Sequence, residues 1–321
     1  MQFAFDAFVT GIVRDRGLAA FALGDGTVRW EDGGFAEAHD GAILCVRPHP
    51  SGDGVLTGGD DGRLVWSRPG AATCLATAKG GWIDALTVSR NSGLIAFGSV
   101  KSVHVLAPSD AKFQRRFDHP SSVSDLAFDP KGRRLAAATY GGVALWYARI
   151  AEQKPVMLRW AGAHGRVVFT PDGRFVISAM QEAALHAWRL SDARQSVMAG
   201  NYQTRARSVA FAQGGAWLAT SGSRGAILWP LMSKDGPLER EPLELALEED
   251  ALTVQVAAEG DDLILGLDNG RILVVNLDND RQTLVKTDAG PPISALECLG
   301  DGRVAWGDEG GGAGLADLPR F

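Results

Sequence analysis

The stretch "FDPKGRRLAAATYGGVALW", from Phe128 to Trp146, consists of three short apolar runs separated by two turn signals. A Pro-Lys-Gly turn follows the first run, and Gly141-Gly142 separates the second run from the third. Proline fixes φ and glycine accepts positive φ, so both residues favour tight turns. The stretch is therefore predicted to form three antiparallel strands connected by turns.

The same order of runs and turns recurs along the whole chain. The segment "FTPDGRFVISAMQEAALHAW", from Phe169 to Trp188, repeats it most clearly. The first turn recurs about every forty residues, at Arg16-Gly17, Ser51-Gly52-Asp53-Gly54, Ser92-Gly93, Lys131-Gly132, Asp172-Gly173, Gly214-Gly215, Glu259-Gly260 and Asp301-Gly302. Because no window keeps helical spacing over three turns, the sequence predicts an all-β repeat architecture with almost no helix.

One repeat resembles a known family. The segments "AHDGAILCV" (38–46) and "LTGGDDGRLVW" (56–66) are similar to one unit of the WD-repeat (Trp-Asp repeat) β-propeller family. His39, Thr57, Asp61 and Trp66 match that family's structural tetrad, which implies one hydrogen-bonded chain of four side chains. The match is degenerate, because the family's Asp after Trp is mostly absent and most other units lack the His or the turn Asp. His119 has the family's His position, but Ala137 replaces the hydroxyl residue of that unit.

The resemblance implies a single closed β-propeller of four-stranded antiparallel blades over residues 1–321. Eight three-strand units are visible, so eight blades are favoured, with seven as the alternative. The last unit needs one more outer strand, for which Gln2–Phe5 is the only spare segment; a three-stranded last blade is the other option. Pro230–Asp250 is expected to be a solvated loop, with a docking arm as the alternative.

No motif for catalysis, a cofactor or a metal ion is present, so we expect a protein that is not an enzyme and binds none of these groups. Cys45, Cys74 and Cys298 are predicted to be buried free thiols inside strands, which favours a reducing, cytoplasmic location. The first residues do not resemble a signal peptide, and no apolar stretch is long enough to span a bilayer. The Ala-, Gly- and Arg-rich composition suggests a bacterial protein.

The charge is uneven along the chain. The formal net charge of −6 disfavours a general nucleic-acid binder. Residues 234–321 hold 19 acidic and 7 basic residues, whereas residues 1–233 hold 19 acidic and 25 basic residues. The last units are therefore expected to form an acidic sector.

In a propeller, the loops that enter the inner strands and the turns between second and third strands share one rim around the central channel. Aligning the units places aromatic and basic residues at this rim, and these residue types dominate binding hot spots. The predicted partner-binding residues are Trp82, Lys101, Tyr140, Tyr202, Arg205 and Arg224. His164 falls at the start of an inner strand, where it could face the channel.

Two function classes follow from this placement. The first is a monomeric, non-enzymatic interaction platform that binds a protein or peptide segment, acidic or mixed in charge with an apolar anchor, on the rim. The alternative is a small-ligand-binding or enzymatic propeller that uses the central channel.

Overall fold

The structure is a computed structural model that describes residues 1–321. It contains thirty strands, β1 to β30 in chain order, and one short 3-10 turn at Gln213–Gly215. The prediction of an all-β propeller with almost no helix is confirmed.

Six of the repeat units are separate antiparallel sheets of four strands. Unit 1 contains β2 (Val9–Asp15), β3 (Leu18–Leu23), β4 (Thr27–Trp30) and β5 (Phe35–Glu37). Unit 2 contains β6 (Ile43–Pro48), β7 (Val55–Gly59), β8 (Arg63–Arg68) and β9 (Ala71–Thr77). Unit 3 contains β10 (Ala85–Ser89), β11 (Leu94–Ser99), β12 (Ser102–Ala107) and β13 (Asp110–Asp118). Unit 6 contains β20 (Val209–Ala212), β21 (Trp217–Thr220), β22 (Gly225–Pro230) and β23 (Leu243–Ala246). Unit 7 contains β24 (Thr253–Glu259), β25 (Asp262–Leu267), β26 (Ile272–Asn276) and β27 (Gln282–Lys286). Unit 8 contains β28 (Ile293–Cys298), β29 (Arg303–Asp308), β30 (Gly312–Asp317) and β1 (Gln2–Ala4).

Units 4 and 5 share one six-stranded sheet. Its strands are β14 (Val123–Phe128), β15 (Arg134–Tyr147), β16 (Val156–Phe169), β17 (Phe175–Met180), β18 (Leu185–Arg189) and β19 (Gln195–Met198). The strand β15 doubles back at Gly141-Gly142, where φ is 84° and 136°. Its two ends are joined by a 2.9 Å hydrogen bond from the Ala148 N–H to the Arg133 carbonyl. One half of β16 pairs with β15 as the outer strand of unit 4, and the other half pairs with β17 as the inner strand of unit 5.

Counted as hydrogen-bonded sheets, the ring has seven members, which is the alternative that the sequence analysis named. The favoured count of eight separate sheets is not seen, because β16 continues from unit 4 into unit 5 through an irregular segment at 160–162. All eight repeat units nevertheless have a place around the channel. Each contributes an inner strand to its wall, represented by Thr10, Leu44, Leu86, Asp125, Arg166, Ala210, Val256 and Leu296.

The N-terminal strand closes the last unit. Gln2, Phe3 and Ala4 of β1 pair with Gly314, Ala313 and Gly312 of β30. The rings of Phe3 and Phe5 pack against Phe21 of unit 1, at centroid distances of 5.5 and 5.6 Å. The spare segment at the start of the chain is therefore the missing outer strand, and the three-stranded alternative is wrong.

The core is divided among the gaps between consecutive units. Eight apolar clusters form, each built from the facing sides of two neighbouring units. Since alternate residues of a strand point to opposite faces, each central strand supplies two such clusters. The ring is thus held together by apolar packing between successive units.

Six of the eight inner strands carry a register irregularity near their start. A β-bulge leaves one residue unpaired and re-aims its side chain. Thr10, Leu44, Ser124 and Ser294 are the residues skipped in four of these strands, and all four line the channel. The bulges therefore place side chains at the rim end of the channel.

Two expectations about surface segments are corrected. The connection that begins at Pro230 is not a solvated loop throughout, because Leu231 and Leu238 are buried against unit 5. The Arg174 guanidinium also donates to the carbonyl of Leu231 at 3.0 Å. All three cysteines are free as predicted, but Cys74 lies exposed on the outer strand β9, and Cys45 and Cys298 are half-buried rather than fully buried.

Candidate interaction rim

The entering loops and the second-to-third-strand turns lie on one face and are tied together by backbone hydrogen bonds. The Asp60 N–H donates to Ala42 at 3.1 Å, and the Gln181 N–H donates to Ala163 at 2.8 Å. The same type of bond joins His119 to Lys101 at 2.8 Å. The rim is therefore a braced surface rather than a set of independent loops.

Three of the predicted partner-binding residues project from this rim. The side chains of Trp82 and Tyr140 are 59% and 72% exposed, which is unusual for large aromatic residues. Lys101 is also exposed, and its ammonium group has no hydrogen bond or ion pair within the chain. These residues come from units 3 and 4, which are neighbours in the ring.

The two predicted arginines are engaged with neighbouring side chains. Arg205 donates to the Gln181 amide oxygen at 2.6 Å, and Arg224 donates to the Asp250 carboxylate at 2.5 Å. Asp250 is 90% exposed, so this pair is an ordinary surface ion pair of small net strength. Such weak pairs can be exchanged for a partner's carboxylate.

Tyr202 has a different environment from the other predicted rim residues. Its hydroxyl accepts a hydrogen bond from the Trp229 indole at 2.9 Å and bonds the Thr220 hydroxyl at 2.8 Å. Burial raises the pKa of the Tyr202 phenol to about 12. Because its hydroxyl is occupied inside unit 6, Tyr202 is placed to support the rim rather than to present that group to a partner.

The predicted tetrad of unit 2 is only partly assembled. His39 bonds Asp61 through Nδ1 at 2.9 Å and Thr57 through Nε2 at 2.8 Å. Burial lowers the pKa of His39. Burial opposes ionisation of Asp61, but hydrogen bonds from His39 and Arg63 hold the pKa of this carboxyl well below its usual range.

Trp66 does not belong to this chain, and strand register gives the reason. Thr57 pairs with Val65, so the next residue, Trp66, points to the opposite face of the sheet. The Trp66 indole instead donates to the Asp53 carbonyl at 2.8 Å and its ring stacks on His49 at 4.4 Å. The four-residue chain predicted for unit 2 is therefore corrected to three residues.

A chain of the predicted kind that includes the Trp occurs in unit 6. Thr220 pairs with Ile227, and Trp229, two residues further on, points to the same face. Tyr202 precedes Thr220 by 18 residues and Trp229 by 27 residues, the spacing of His39 to Thr57 and Trp66. That shared spacing is the signal in the sequence that could have identified Tyr202, although a tyrosine stands where the resembling family has a histidine.

Unit 4 contains the incomplete form of the same arrangement. His119 and Trp146 meet edge to face with ring centroids 5.6 Å apart. The Nε2 atom of His119 and the Nε1 atom of Trp146 are both buried without a hydrogen-bond partner. Ala137 shares the apolar cluster of Trp146 and lies where units 2 and 6 have Thr57 and Thr220.

Two adjoining hollows open on the rim, and the exposed Trp82 lines the first of them. The first has a volume of about 650 Å³, and its lining includes Asp60, Asp61, Gly80, Trp82, Asp84, Val100 and Ser122. The second has a volume of about 530 Å³, and its lining includes Asp84, Ser122, Arg166, Gln181, Arg205 and Arg207. Since the two hollows share Asp84, Ser122 and Val123, they form one continuous groove on the rim.

The central channel has a volume of about 610 Å³ and carries charged residues of both signs. Its charged lining consists of Arg47, Asp84, Asp125, Arg166 and Glu297. Burial raises the pKa of Glu297 to about 7. No group of three or more His, Cys, Asp or Glu side chains is arranged to hold a metal ion.

His164 does not face the channel. Its Nδ1 atom bonds the Ser178 hydroxyl at 2.5 Å, and the side chain is fully buried.

No helix of the structure combines the length and the apolar character needed to cross a membrane.

Comparisons with known proteins agree with this architecture. The WD40 family model, described as "WD domain, G-beta repeat", matches residues 34–66 and 111–146. No curated protein sequence matches the chain significantly.

Two solved structures illustrate the likeness of fold. The crystal structure of the computationally designed protein Ika8 superimposes with a TM-score of 0.78, at 18% identity and with 98% of each chain covered. The crystal structure of Saccharomyces cerevisiae Sqt1 superimposes with a TM-score of 0.80, at 12% identity, covering 99% of this chain and 98% of that one. The chain therefore contains two segments that match the WD-repeat model, and its fold is that of a β-propeller.

Proposed function

We propose that this protein is a non-enzymatic interaction platform that binds a protein or peptide segment on the rim around its channel. The observation that carries the proposal is the pair of exposed aromatic side chains, Trp82 and Tyr140, on neighbouring units of a braced rim. Exposed aromatic residues lose little conformational entropy on binding and supply large apolar contact areas. Lys101, Arg205 and Arg224 add cationic groups on the same face.

The proposal is tested by recovering the native partner and mapping its contact. A tagged copy expressed in the source organism is purified, the co-purifying protein is identified, and binding is measured with purified components. Trp82→Ala should weaken that complex by about 2 kcal/mol or more if Trp82 is a hot spot. Paired Arg205→Glu and Arg224→Glu changes should mainly slow association, and more so at low salt.

The matched control is Tyr147→Ala. Tyr147 is 54% exposed and lies at the end of the third strand of unit 4, on the opposite face from the rim. If Trp82→Ala and the paired arginine variant both fold and bind the partner with unchanged affinity, the rim is not the binding surface. The connection at Pro230–Asp250 would then be tested next.

A second candidate function uses the channel. Glu297, whose pKa lies near 7, and Arg47 line the same channel wall, which is a setting suited to a small polar ligand. If the protein is purified from its source cells and then denatured, mass spectrometry of the released material would detect such a ligand. The Glu297→Gln variant should no longer retain this ligand. If no small molecule is recovered and a protein partner binds in a Trp82-dependent manner, the channel function is rejected.

We propose further that the protein acts as a monomer in the cytoplasm of a bacterium. Its three free cysteines include an exposed one at Cys74, which is suited to a reducing compartment. Sedimentation would test the monomer, and fractionation of the source cells would test the location.

A further inference from the structure

The groove beside Trp82 joins two regions of opposite charge. On one side, the carboxylates of Asp60 and Asp84 line the hollow that contains Trp82. On the other side, the guanidinium groups of Arg205 and Arg207 line the adjoining hollow. Asp84 lines both hollows and also the channel, so it lies at the junction of all three.

The acidic groups at this junction lack cationic partners in the chain. Asp60 and Asp84 are exposed and neither forms an ion pair, and the hydrogen bonds that the Asp84 carboxylate accepts come from the backbone N–H groups of Asp84 and Ala85. By contrast, Asp61 in the same hollow is held by His39 and Arg63. Partial burial raises the pKa of Asp84, hydrogen bonds from the backbone N–H groups of Asp84 and Ala85 oppose this rise, and the charge of Asp125 adds to it.

The basic side of the groove also offers donors. Arg207 is exposed and its guanidinium has no partner in the chain. Arg205 is held only by the neutral amide of Gln181, at 2.6 Å. Both can turn toward a carboxylate, for which the planar guanidinium fork is well suited.

We propose that the segment bound on the rim carries charges of both signs, an inference that rests on the proposed function. Its apolar side chain packs on Trp82, a Lys or Arg pairs with Asp84 and Asp60, and an Asp or Glu pairs with Arg205 and Arg207. The Trp82 ring also offers its face to the stem or the cation of the basic side chain. A purely acidic segment would place its carboxylates against Asp60 and Asp84, where like charges repel.

The charge pattern of the bound segment is determined by selecting peptides that bind to this protein. Random twelve-residue peptides displayed on phage are selected on the wild-type protein after depletion on the Trp82→Ala variant. The expected result is a set of Trp82-dependent peptides that contain an apolar residue, at least one Lys or Arg, and at least one Asp or Glu. Trp82-dependent peptides with acidic residues alone would overturn this inference and leave the proposed function standing. Recovery of no Trp82-dependent peptide would overturn both.

A double-mutant cycle then assigns the cation to Asp84. The strongest selected peptide and its Lys→Ala or Arg→Ala derivative are titrated, by fluorescence polarisation, against wild type and Asp84→Asn. Asp84→Asn should weaken the parent peptide by about five- to tenfold and the derivative by less than twofold. Asp317→Asn, an unpaired exposed acid on the opposite face, should change neither affinity. Equal weakening of both peptides by Asp84→Asn would overturn the assignment.

Discussion

Replacing Tyr202 by Phe tests whether the hydrogen-bonded chain of unit 6 stabilises the ring. The substitution removes only the hydroxyl, so the buried part of the ring and its packing are retained. The Trp229 indole loses its acceptor at 2.9 Å, whereas Thr220 keeps a second bond, to the Ile227 carbonyl at 3.3 Å. A buried donor without a partner costs about 1–3 kcal/mol. We therefore expect the free energy of unfolding to fall by about 2 kcal/mol.

The assay is equilibrium unfolding in urea, followed by tryptophan fluorescence and circular dichroism. The midpoint should move to lower urea while the slope stays the same, because the surface exposed on unfolding is unchanged. Tyr140→Phe is the matched control, since the Tyr140 hydroxyl is exposed and has no hydrogen bond in the chain. Its effect should stay within about 0.5 kcal/mol.

Repeating the Tyr202→Phe substitution in a Trp229→Phe protein tests whether the loss of stability comes from the unpartnered Trp229 indole. In a Trp229→Phe protein the donor is already absent, so adding Tyr202→Phe should cost much less than it does in the wild type. An unchanged midpoint for Tyr202→Phe would refute the reasoning. An equal loss in both backgrounds would show that the Trp229 hydrogen bond is not the cause.

Three further outcomes are expected from the structure. Ala137→Ser should stabilise the protein by about 1 kcal/mol in urea unfolding, because the serine hydroxyl can form hydrogen bonds with the unpartnered nitrogens of His119 and Trp146. The control Ala136→Ser, on the opposite face of the strand, should destabilise the protein. Phe3→Ala should cost about 2 kcal/mol and speed hydrogen exchange in Gly312–Gly314, because β1 closes unit 8 there; exchange equal to wild type would contradict that closure. Burial lowers the pKa of all six histidines, that of His186 to about 4, so the unfolded state binds more protons below pH 6.5. The contribution of these histidines to the free energy of unfolding should therefore be fully present above pH 6.5 and be lost as the pH falls toward 4. In His186→Gln the urea midpoint should fall less over the same pH range.

The turns and strands could be predicted because their signals are local. Gly141-Gly142 separates the second and third runs of unit 4, and the structure has the hairpin at that point. Continuity between units is a different property, since it depends on hydrogen bonds over the loop that links them. Over 160–163 the pairing of β16 is irregular and Gly162 has a φ of 108°, but the strand continues, so units 4 and 5 form one sheet although their sequence repeats are distinct.

Side-chain environment was harder to predict than strand position. Tyr202 was assigned to the partner surface because aromatic residues favour interfaces, yet its hydroxyl completes an internal chain. Likewise, the connection after Pro230 is rich in charged residues, but Leu231 and Leu238 pack on unit 5 and Arg174 binds the same segment. In both cases the decisive partner lies in a segment whose proximity only the fold establishes.

Strand register explains why matching residue types in two units form different contacts. Units 2 and 6 have the same spacing between the hydroxyl residue and the Trp, but Thr57 pairs with Val65 whereas Thr220 pairs with Ile227. A shift of one residue reverses the face on which the later side chains lie. Trp66 therefore packs toward unit 3, whereas Trp229 packs toward unit 5 and reaches its hydroxyl partner. The repeat motif specifies the strands, and the turn between second and third strands determines whether the Trp joins the hydrogen-bonded chain.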